Sequence, residues 1–209
     1  MQPVTADETA VWEFLADDFG KKPPRGRFIE LGCGPTVHHI LPFAPHVSEI
    51  QMADYLDENL EQVRIWQANS GDAHNWNQYT EFTLKCEGTE PSPDLVATRE
   101  QLAREKISRL TLCDLKKETP AEFRGQYDTV GCFYCAEEVG IDIEEWRQVM
   151  RRATDYLAPG GTFYMAALLG METYDVRDES GNLALYPCAC ISEQDVRDVL
   201  DTLGFPKES

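Results

Sequence analysis

Glu30, Asp54 and Asp114 are the acids whose placement could do chemistry. Glu30 lies in an apolar run, Phe28-Ile29-Glu30-Leu31, that leads into Gly32-Cys33-Gly34-Pro35-Thr36. Asp54 comes twenty residues after Gly34, and Asp114 follows the apolar run Leu110-Thr111-Leu112-Cys113. Two glycines let a strand turn sharply and let backbone approach a ligand with no Cβ in the way. In a strand–turn–helix unit, an acid about 20 residues further on sits at the end of the second strand, where ribose hydroxyls are held.

Two nucleoside cofactors compete for such a site. A dinucleotide fingerprint wants a third glycine three residues after the second, and position 37 is Val. It also rests a pyrophosphate on free N–H groups at the helix start, where Pro35 has none to give. S-adenosylmethionine carries no phosphate, and its sulfonium and ammonium tolerate a carboxylate such as Glu30. The residues therefore favour the methyl donor. Glu30 could equally be a buried acid bonded to the backbone of the turn, and Asp114 could cap the short helix after it.

These residues need a mostly parallel sheet to bring them together. Strands are expected at 27–31, 49–53, 107–112, 127–134 and 162–169, alternating with helices, which is the pattern of an α/β sheet covered on both faces. The fold expected is a Rossmann-like sheet in the order 3-2-1-4-5, in one domain over residues 1–209, with ligand chemistry at the carboxyl ends of the strands. A capping box, Thr5 to Glu8, opens the first helix, with Val11, Trp12, Leu15 and Phe19 inward. Pro35 should open a helix through about Phe43, and Asp57 one bearing Leu60, Val63 and Trp66. Residues 69–91 read as an insertion with an extra strand over 81–85. Ser92-Pro93 opens a helix with Leu95, Leu102, Ala103 and Lys106 on one face. A strongly periodic helix carries Ile143, Trp146, Met150, Ala153 and Leu157 and ends at Pro159-Gly160-Gly161. A final helix starts at a second, looser capping box, Ser192 to Asp195, and stops at Gly204. The fifth strand would be a bare hydrophobic edge, which proteins seldom tolerate. Either the chain is part of a longer one, or a second subunit covers that edge; monomer and homodimer both fit.

Acidic residues outnumber basic ones, 37 to 19, for a net charge of −18 over 209 residues. Such a field repels phosphate backbones, so nucleic acid is excluded as a partner. No apolar run reaches the roughly 20 residues of a membrane span, and residues 1–7 lack the basic flank and apolar stretch of a signal peptide. Seven cysteines form no disulfide framework, which points to a reducing, cytoplasmic setting. Cys132 and Cys135, and Cys188 and Cys190, are close pairs. Cys132 ends a buried strand, where cysteine acts as a small hydrophobe, and no metal site is expected.

Gly32-Cys33-Gly34-Pro35-Thr36 followed by Ala53-Asp54-Tyr55-Leu56-Asp57-Glu58-Asn59-Leu60 resembles the nicotinamide, phenylethanolamine and indolethylamine N-methyltransferase family. So do Asn75-Trp76 with Cys86-Glu87-Gly88, Cys113-Asp114, Tyr134-Cys135-Ala136-Glu137 and Leu157-Ala158-Pro159-Gly160-Gly161. The resemblance covers roughly residues 10–205 by motif order. It implies that Asp54 holds the ribose, that Asn59 touches the nucleoside or the donor's carboxylate, and that Asp114 with the backbone of Leu115 reads adenine. Glu30, Gly32, Gly34, Thr36, Tyr55 and Phe133 complete the expected cofactor site. It also implies an amine-facing acid at Glu137, with Glu172 as a second candidate, and a substrate wall of Tyr134, Ala166 and Tyr174. The chain departs from the family at His38, where relatives carry an aromatic residue. It departs again at Ala166, where nicotinamide relatives carry Asp, so nicotinamide is disfavoured. The family's tyrosine-bearing N-terminal lid is mostly missing, and its two C-terminal antiparallel strands have no counterpart.

N-methylation of a small amine follows. The enzyme must align a neutral nitrogen lone pair with the methyl group, and a carboxylate must hold the ammonium and take its proton. Glu137 could instead cap the helix that follows, or be solvated. Rival readings are an O-methyltransferase, a catalytically silent cofactor-binding module and a dinucleotide oxidoreductase. The four histidines form no metal-binding cluster in sequence.

Overall fold

The computed structural model describes residues 4–177 and 182–206. Its chain order is α1 (Ala6–Lys21), β1 (Arg27–Leu31), β2 (Glu49–Asp54), α2 (Asp57–Gln67), α3 (Asn77–Cys86), α4 (Pro93–Lys106) and β3 (Ile107–Leu112). There follow β4 (Tyr127–Phe133), α5 (Ala136–Val139), α6 (Ile143–Thr154), β5 (Leu157–Ala166), β6 (Thr173–Arg177), β7 (Leu183–Pro187) and α7 (Glu193–Thr202). The five parallel strands run in the order β3-β2-β1-β4-β5, as the alternation of elements required. The strand order reverses beside β1, so the crevice where ligands bind opens at the ends of β1 and β4.

Two apolar layers hold the sheet. On one side Phe28, Ile50 and Met52 pack with Leu15, Phe43, Leu60, Val63 and Trp66. On the other Ile29, Leu31 and Val130 meet Trp146, Met150, Ala153 and Val199. Alternation along β1 thus sends Phe28 to one layer and Ile29 to the other. Both expected capping boxes form, Thr5 with Glu8 and Ser192 with Asp195.

Five expectations are corrected. No α-helix follows Pro35; His38–Ile40 is a single 3-10 turn. Pro42 lies where a continuing helix would need an N–H, and the two histidine rings are wedged, His38 against Trp12 and Trp76 and His39 against Phe133. Residues 81–85 are helical, inside α3, which buries Thr80, Thr83 and Leu84 at helical spacing. Trp12 of α1 donates its indole N–H to the Thr83 hydroxyl at 2.8 Å, which ties α3 down. In α4 the buried face is Val96, Glu100 and Ala103, while Leu95 is exposed. Helix α6 stops at Thr154, and Leu157 instead starts β5, paired with Tyr127 before a bulge over the Pro-Gly-Gly turn. Finally, an antiparallel pair does follow β5. Strands β6 and β7 form a separate two-stranded sheet in which Tyr174 lies opposite Tyr186 and stacks on it, with ring centroids 5.6 Å apart. Cross-strand aromatic pairs of this kind stabilise hairpins. Strand β5 is therefore the edge of the main sheet.

Candidate functional site

A cavity of about 950 Å³ opens at the carboxyl ends of β1, β2 and β4, roofed by the first turn of α1 and flanked by the β6–β7 hairpin. Its floor is the glycine turn. Gly32 and Gly34 both take positive φ, +68° and +59°. A Cβ at Gly32 would come within 2.1 Å of the Cys135 sulfur, whereas one at Gly34 would meet only the Thr36 methyl, at 4.0 Å. Gly32 is thus fixed by packing underneath, and Gly34 faces open space.

Asp54, at the end of β2, organises that floor. One carboxylate oxygen accepts the Gly34 N–H at 2.8 Å; the other accepts the Leu56 N–H and the Asn59 amide, each at 2.9 Å. A carboxylate has about four acceptor positions, so one remains for a hydroxyl of a bound ligand. Thr36 is turned inward, donating its hydroxyl to the Cys33 carbonyl at 2.8 Å. Asp114 follows β3 and accepts the Lys116 N–H at 2.9 Å. This Asx turn presents Leu115 and the acid side by side at the cavity wall. Phe133, from the end of β4, supplies an apolar surface.

Tyr134 is bent into the cavity by a left-handed backbone, φ +51°, held by its N–H bond to the Ala166 carbonyl at 2.8 Å. Burial pushes its phenol up to about 12, with the charges of Asp7, Glu8 and Glu137 adding to the effect. Tyr174, Tyr186 and Pro187 close the hairpin side.

Of the residues expected from sequence, Gly32, Gly34, Thr36, Asp54, Tyr55, Asn59, Asp114, Leu115, Phe133, Tyr134 and Tyr174 come together around this cavity. Four do not line it. Glu30 lies buried beneath, with one oxygen 2.9 Å from His39 Nδ1 and the other without a partner. Its burial and the nearby charge of Asp54 hold its carboxyl well above the usual range. Ala166 spends its carbonyl on Tyr134. Glu172 is exposed outside the cavity. Glu137 is buried: it accepts the Leu168 N–H at 2.8 Å, and its backbone carbonyl accepts the Ala189 N–H at 2.9 Å.

The sequence reading missed Asp7 and Glu8 of the first turn, His38 and His39, Glu138, and Tyr186, all of which line the cavity. The capping box marked Glu8 as a helix start and gave no sign that this start sits over a site. Glu8 also accepts the Tyr79 hydroxyl at 2.9 Å. His39 is held neutral, its imidazole pushed down to about 3 by burial. Among the described residues no group of three or more His, Cys, Asp or Glu side chains is arranged to hold a metal ion.

The profile of the NNMT/PNMT/TEMT family matches residues 10–208. The chain belongs to that family. Phenylethanolamine N-methyltransferase of Macaca mulatta is 27% identical over 196 residues, which cover 91% of this chain and 67% of that protein. The enzyme of that name from Rattus norvegicus is 26% identical over 85% of this chain and 61% of its own. Indolethylamine N-methyltransferase of Mus musculus is 27% identical over 71% of this chain and 56% of its own. The chain thus spans about two thirds, or less, of the length of these relatives. Among solved structures, the DhpI-SAM-HEP complex matches 98% of this chain and 90% of its own at a TM-score of 0.57 and 12% identity. SAM-bound CalS10, an amino pentose methyltransferase from Micromonospora echinaspora, matches 92% and 79% at 0.53 and 15%. These two show the fold: a class I methyltransferase sheet.

The cofactor of the family is S-adenosylmethionine, and the residues of this NNMT/PNMT/TEMT member fit it. The open face of Gly34 leaves room for a ligand against the turn. Asp54 keeps one acceptor position that could take a ribose hydroxyl, and Asp114, 3.2 Å from Lys117, and Leu115 line the wall where an adenine could lie.

Proposed function

We propose that this chain N-methylates a small amine with S-adenosylmethionine as donor. The observation that carries the reading is the charge of the cavity beyond the glycine turn: Asp7, Glu8 and Glu138 join Asp54 and Asp114 on its wall, with Lys116 as the one cationic side chain among the lining residues. Lys116 is itself 3.4 Å from Glu145. A wall of this sign attracts an ammonium and repels a carboxylate-bearing acceptor. When bound, S-adenosylmethionine supplies a methyl group on a sulfonium, whose carbon–sulfur bond breaks as the nitrogen bonds the methyl carbon.

The chain's own contribution is to bind, orient and deprotonate. Tyr134, Tyr174 and Tyr186 give the acceptor an aromatic wall, and a cation over such rings gains about 0.5–2 kcal/mol. Positioning supplies most of the rate, because the nitrogen lone pair needs only to be aligned with the methyl carbon. The names of the relatives, phenylethanolamine and indolethylamine N-methyltransferase, support an acceptor with an amine on a short chain. Seven unpaired cysteines support a reducing, cytoplasmic setting. A single domain over residues 1–209 is part of the same proposal.

The test is production of S-adenosylhomocysteine from S-adenosylmethionine with a panel of phenylethanolamine, indolethylamine, simple alkylamines, phenols and pyridines. The reading expects turnover of amines and not of phenols. Turnover of phenols alone would replace it with O-methylation, and tight binding of the donor with no turnover of any acceptor would make the chain a silent binding module.

A further inference from the structure

We infer that Glu138, not its neighbour Glu137, is the carboxylate that holds the acceptor's ammonium and takes its proton, and that Glu137 is a positioning residue. This deepens the reading of the chain as an amine methyltransferase and rests on it.

Ala136–Val139 is one turn of helix after β4, so consecutive side chains diverge by about 100°. Glu137 turns inward. One oxygen of its carboxylate accepts the Leu168 N–H at 2.8 Å while the other is buried without a partner among the described residues, its carbonyl accepts the Ala189 N–H at 2.9 Å, and only 1% of the residue is exposed. These two bonds fix the exit of β5 and the return of the chain after β7, which together carry the hairpin. Glu138 turns the other way, onto the cavity wall, beside Val139 and Ile141 and across from Tyr174, Tyr186 and Pro187. The Glu138 carboxylate has no ion-pair partner among the described residues, and it is half-buried.

Acids, phenols and thiols bear on Glu138, and the Lys116 ammonium and the imidazoles of His38 and His39 line the same cavity. Glu137 is on its own turn; Tyr134 and Cys135 come from the end of β4; Tyr174, Tyr186 and Cys188 come from the hairpin and the residue after it. Asp7 and Glu8 of α1 share the cavity wall. Burial first, and the charge of Glu137 second, push the Glu138 carboxyl up to about 7, where a base for an ammonium works near neutral pH. The ammonium gives one proton to a Glu138 carboxylate oxygen and keeps the nitrogen lone pair; that pair then forms the nitrogen–carbon bond. Glu138 returns the proton to solvent when the methylated ammonium leaves.

The test compares Glu138→Gln with Glu137→Gln, using phenylethanolamine as the probe. S-adenosylhomocysteine should bind both variants as it binds the unaltered protein. Glu138→Gln should lose on the order of 10²-fold in kcat/KM near neutral pH, with the deficit shrinking as pH approaches the amine's own pKa. Glu137→Gln keeps an acceptor for Leu168, so its kcat/KM should stay within a few-fold, but its acid limb should move to lower pH because a charge beside Glu138 is gone. Binding gives a readout without turnover. Near pH 7 part of the Glu138 population carries a proton, so phenylethanolamine titrated into the protein loaded with S-adenosylhomocysteine, in two buffers of different ionisation heat, should release a fraction of a proton to the buffer, and Glu138→Gln should abolish that release. A large defect in Glu137→Gln with Glu138→Gln intact would overturn this inference and leave the amine reading standing. Binding of no amine at all would overturn both.

Discussion

Gly32 and Gly34 have nearly the same backbone and different surroundings, so replacing each with alanine separates strain from contact. Both sit at positive φ, +68° and +59°, and a left-handed residue with a Cβ costs roughly 1–2 kcal/mol. Gly34→Ala should lose about that much stability, since its Cβ would meet nothing closer than Thr36 at 4.0 Å. Gly32→Ala also drives a methyl to 2.1 Å from Cys135 Sγ and 2.7 Å from Cys135 Cβ. Overpacking adds typically 1–3 kcal/mol, so the total is about 2–5 kcal/mol. In a chain of this length about 1 kcal/mol moves the melting temperature roughly 2–4 °C. Gly34→Ala should therefore melt a few degrees low, and Gly32→Ala some two to three times further. The ligand response should show the opposite order. Gly34→Ala puts its methyl into the space against the turn, so S-adenosylhomocysteine should stabilise it less than it stabilises the unaltered protein. Circular dichroism melts with and without S-adenosylhomocysteine read both effects. Equal losses in the two variants would refute the Cys135 contact, and a Gly34→Ala protein with full ligand stabilisation would refute the orientation of the turn.

Asp54→Ala removes the acceptor for Gly34, Leu56 and Asn59; charge-assisted bonds are worth about 1.5–3 kcal/mol each, so calorimetry should show S-adenosylhomocysteine binding at least tenfold weaker, and unchanged affinity would remove Asp54 from the site. His39 has a folded pKa of about 3 against an ordinary 6.5. Between those values the unfolded chain binds a proton that the folded one does not, so this group's stability is present above pH 6.5 and lost as pH falls toward 3. Urea titrations over that window should show a shallower acid loss in His39→Gln, which can still donate to Glu30 without titrating, and a parallel profile would show that His39 does not drive it. Thr83→Val leaves the Trp12 indole N–H without its acceptor and should cost about 1–3 kcal/mol in urea unfolding; a neutral outcome would mean that α1 and α3 are held by packing alone.

The cofactor half of the site was legible because its residues are fixed by backbone geometry. A turn that needs positive φ needs glycine, and an acid at the end of the next strand falls at a set distance along the chain, so Gly32, Gly34 and Asp54 could be read in order. The two capping boxes were legible for the same reason. Helix α3 was not: Tyr79, Phe82 and Thr83 favour strands locally, and the burial of Thr80, Thr83 and Leu84 at helical spacing goes with the bond that Thr83 accepts from Trp12, some 70 residues away. The β6–β7 hairpin was hidden because both strands are short and all the described side chains of β7 are exposed. The acceptor half was less legible: either acid suits the motif, and only the rotation of a four-residue helix puts Glu138 rather than Glu137 on the cavity wall. Glu8 was invisible as a site residue because α1 reaches the cavity through tertiary packing alone.

Among the described residues the β6–β7 hairpin makes no ladder with the main sheet. It hangs from a few bonds at its base, among them Cys188 N–H to the Glu172 carbonyl and Gly170 N–H to the Ile191 carbonyl. On the proposed function, the Tyr174 and Tyr186 side of the acceptor's wall is therefore an attachment, while Tyr134, Glu138 and the part that would meet the donor are built into the scaffold. Descendants of such a chain can exchange the hairpin's sequence and explore new acceptors without jeopardising the donor site. A designer could do the same, grafting hairpins between residues 170 and 191 as interchangeable cassettes on an unchanged floor.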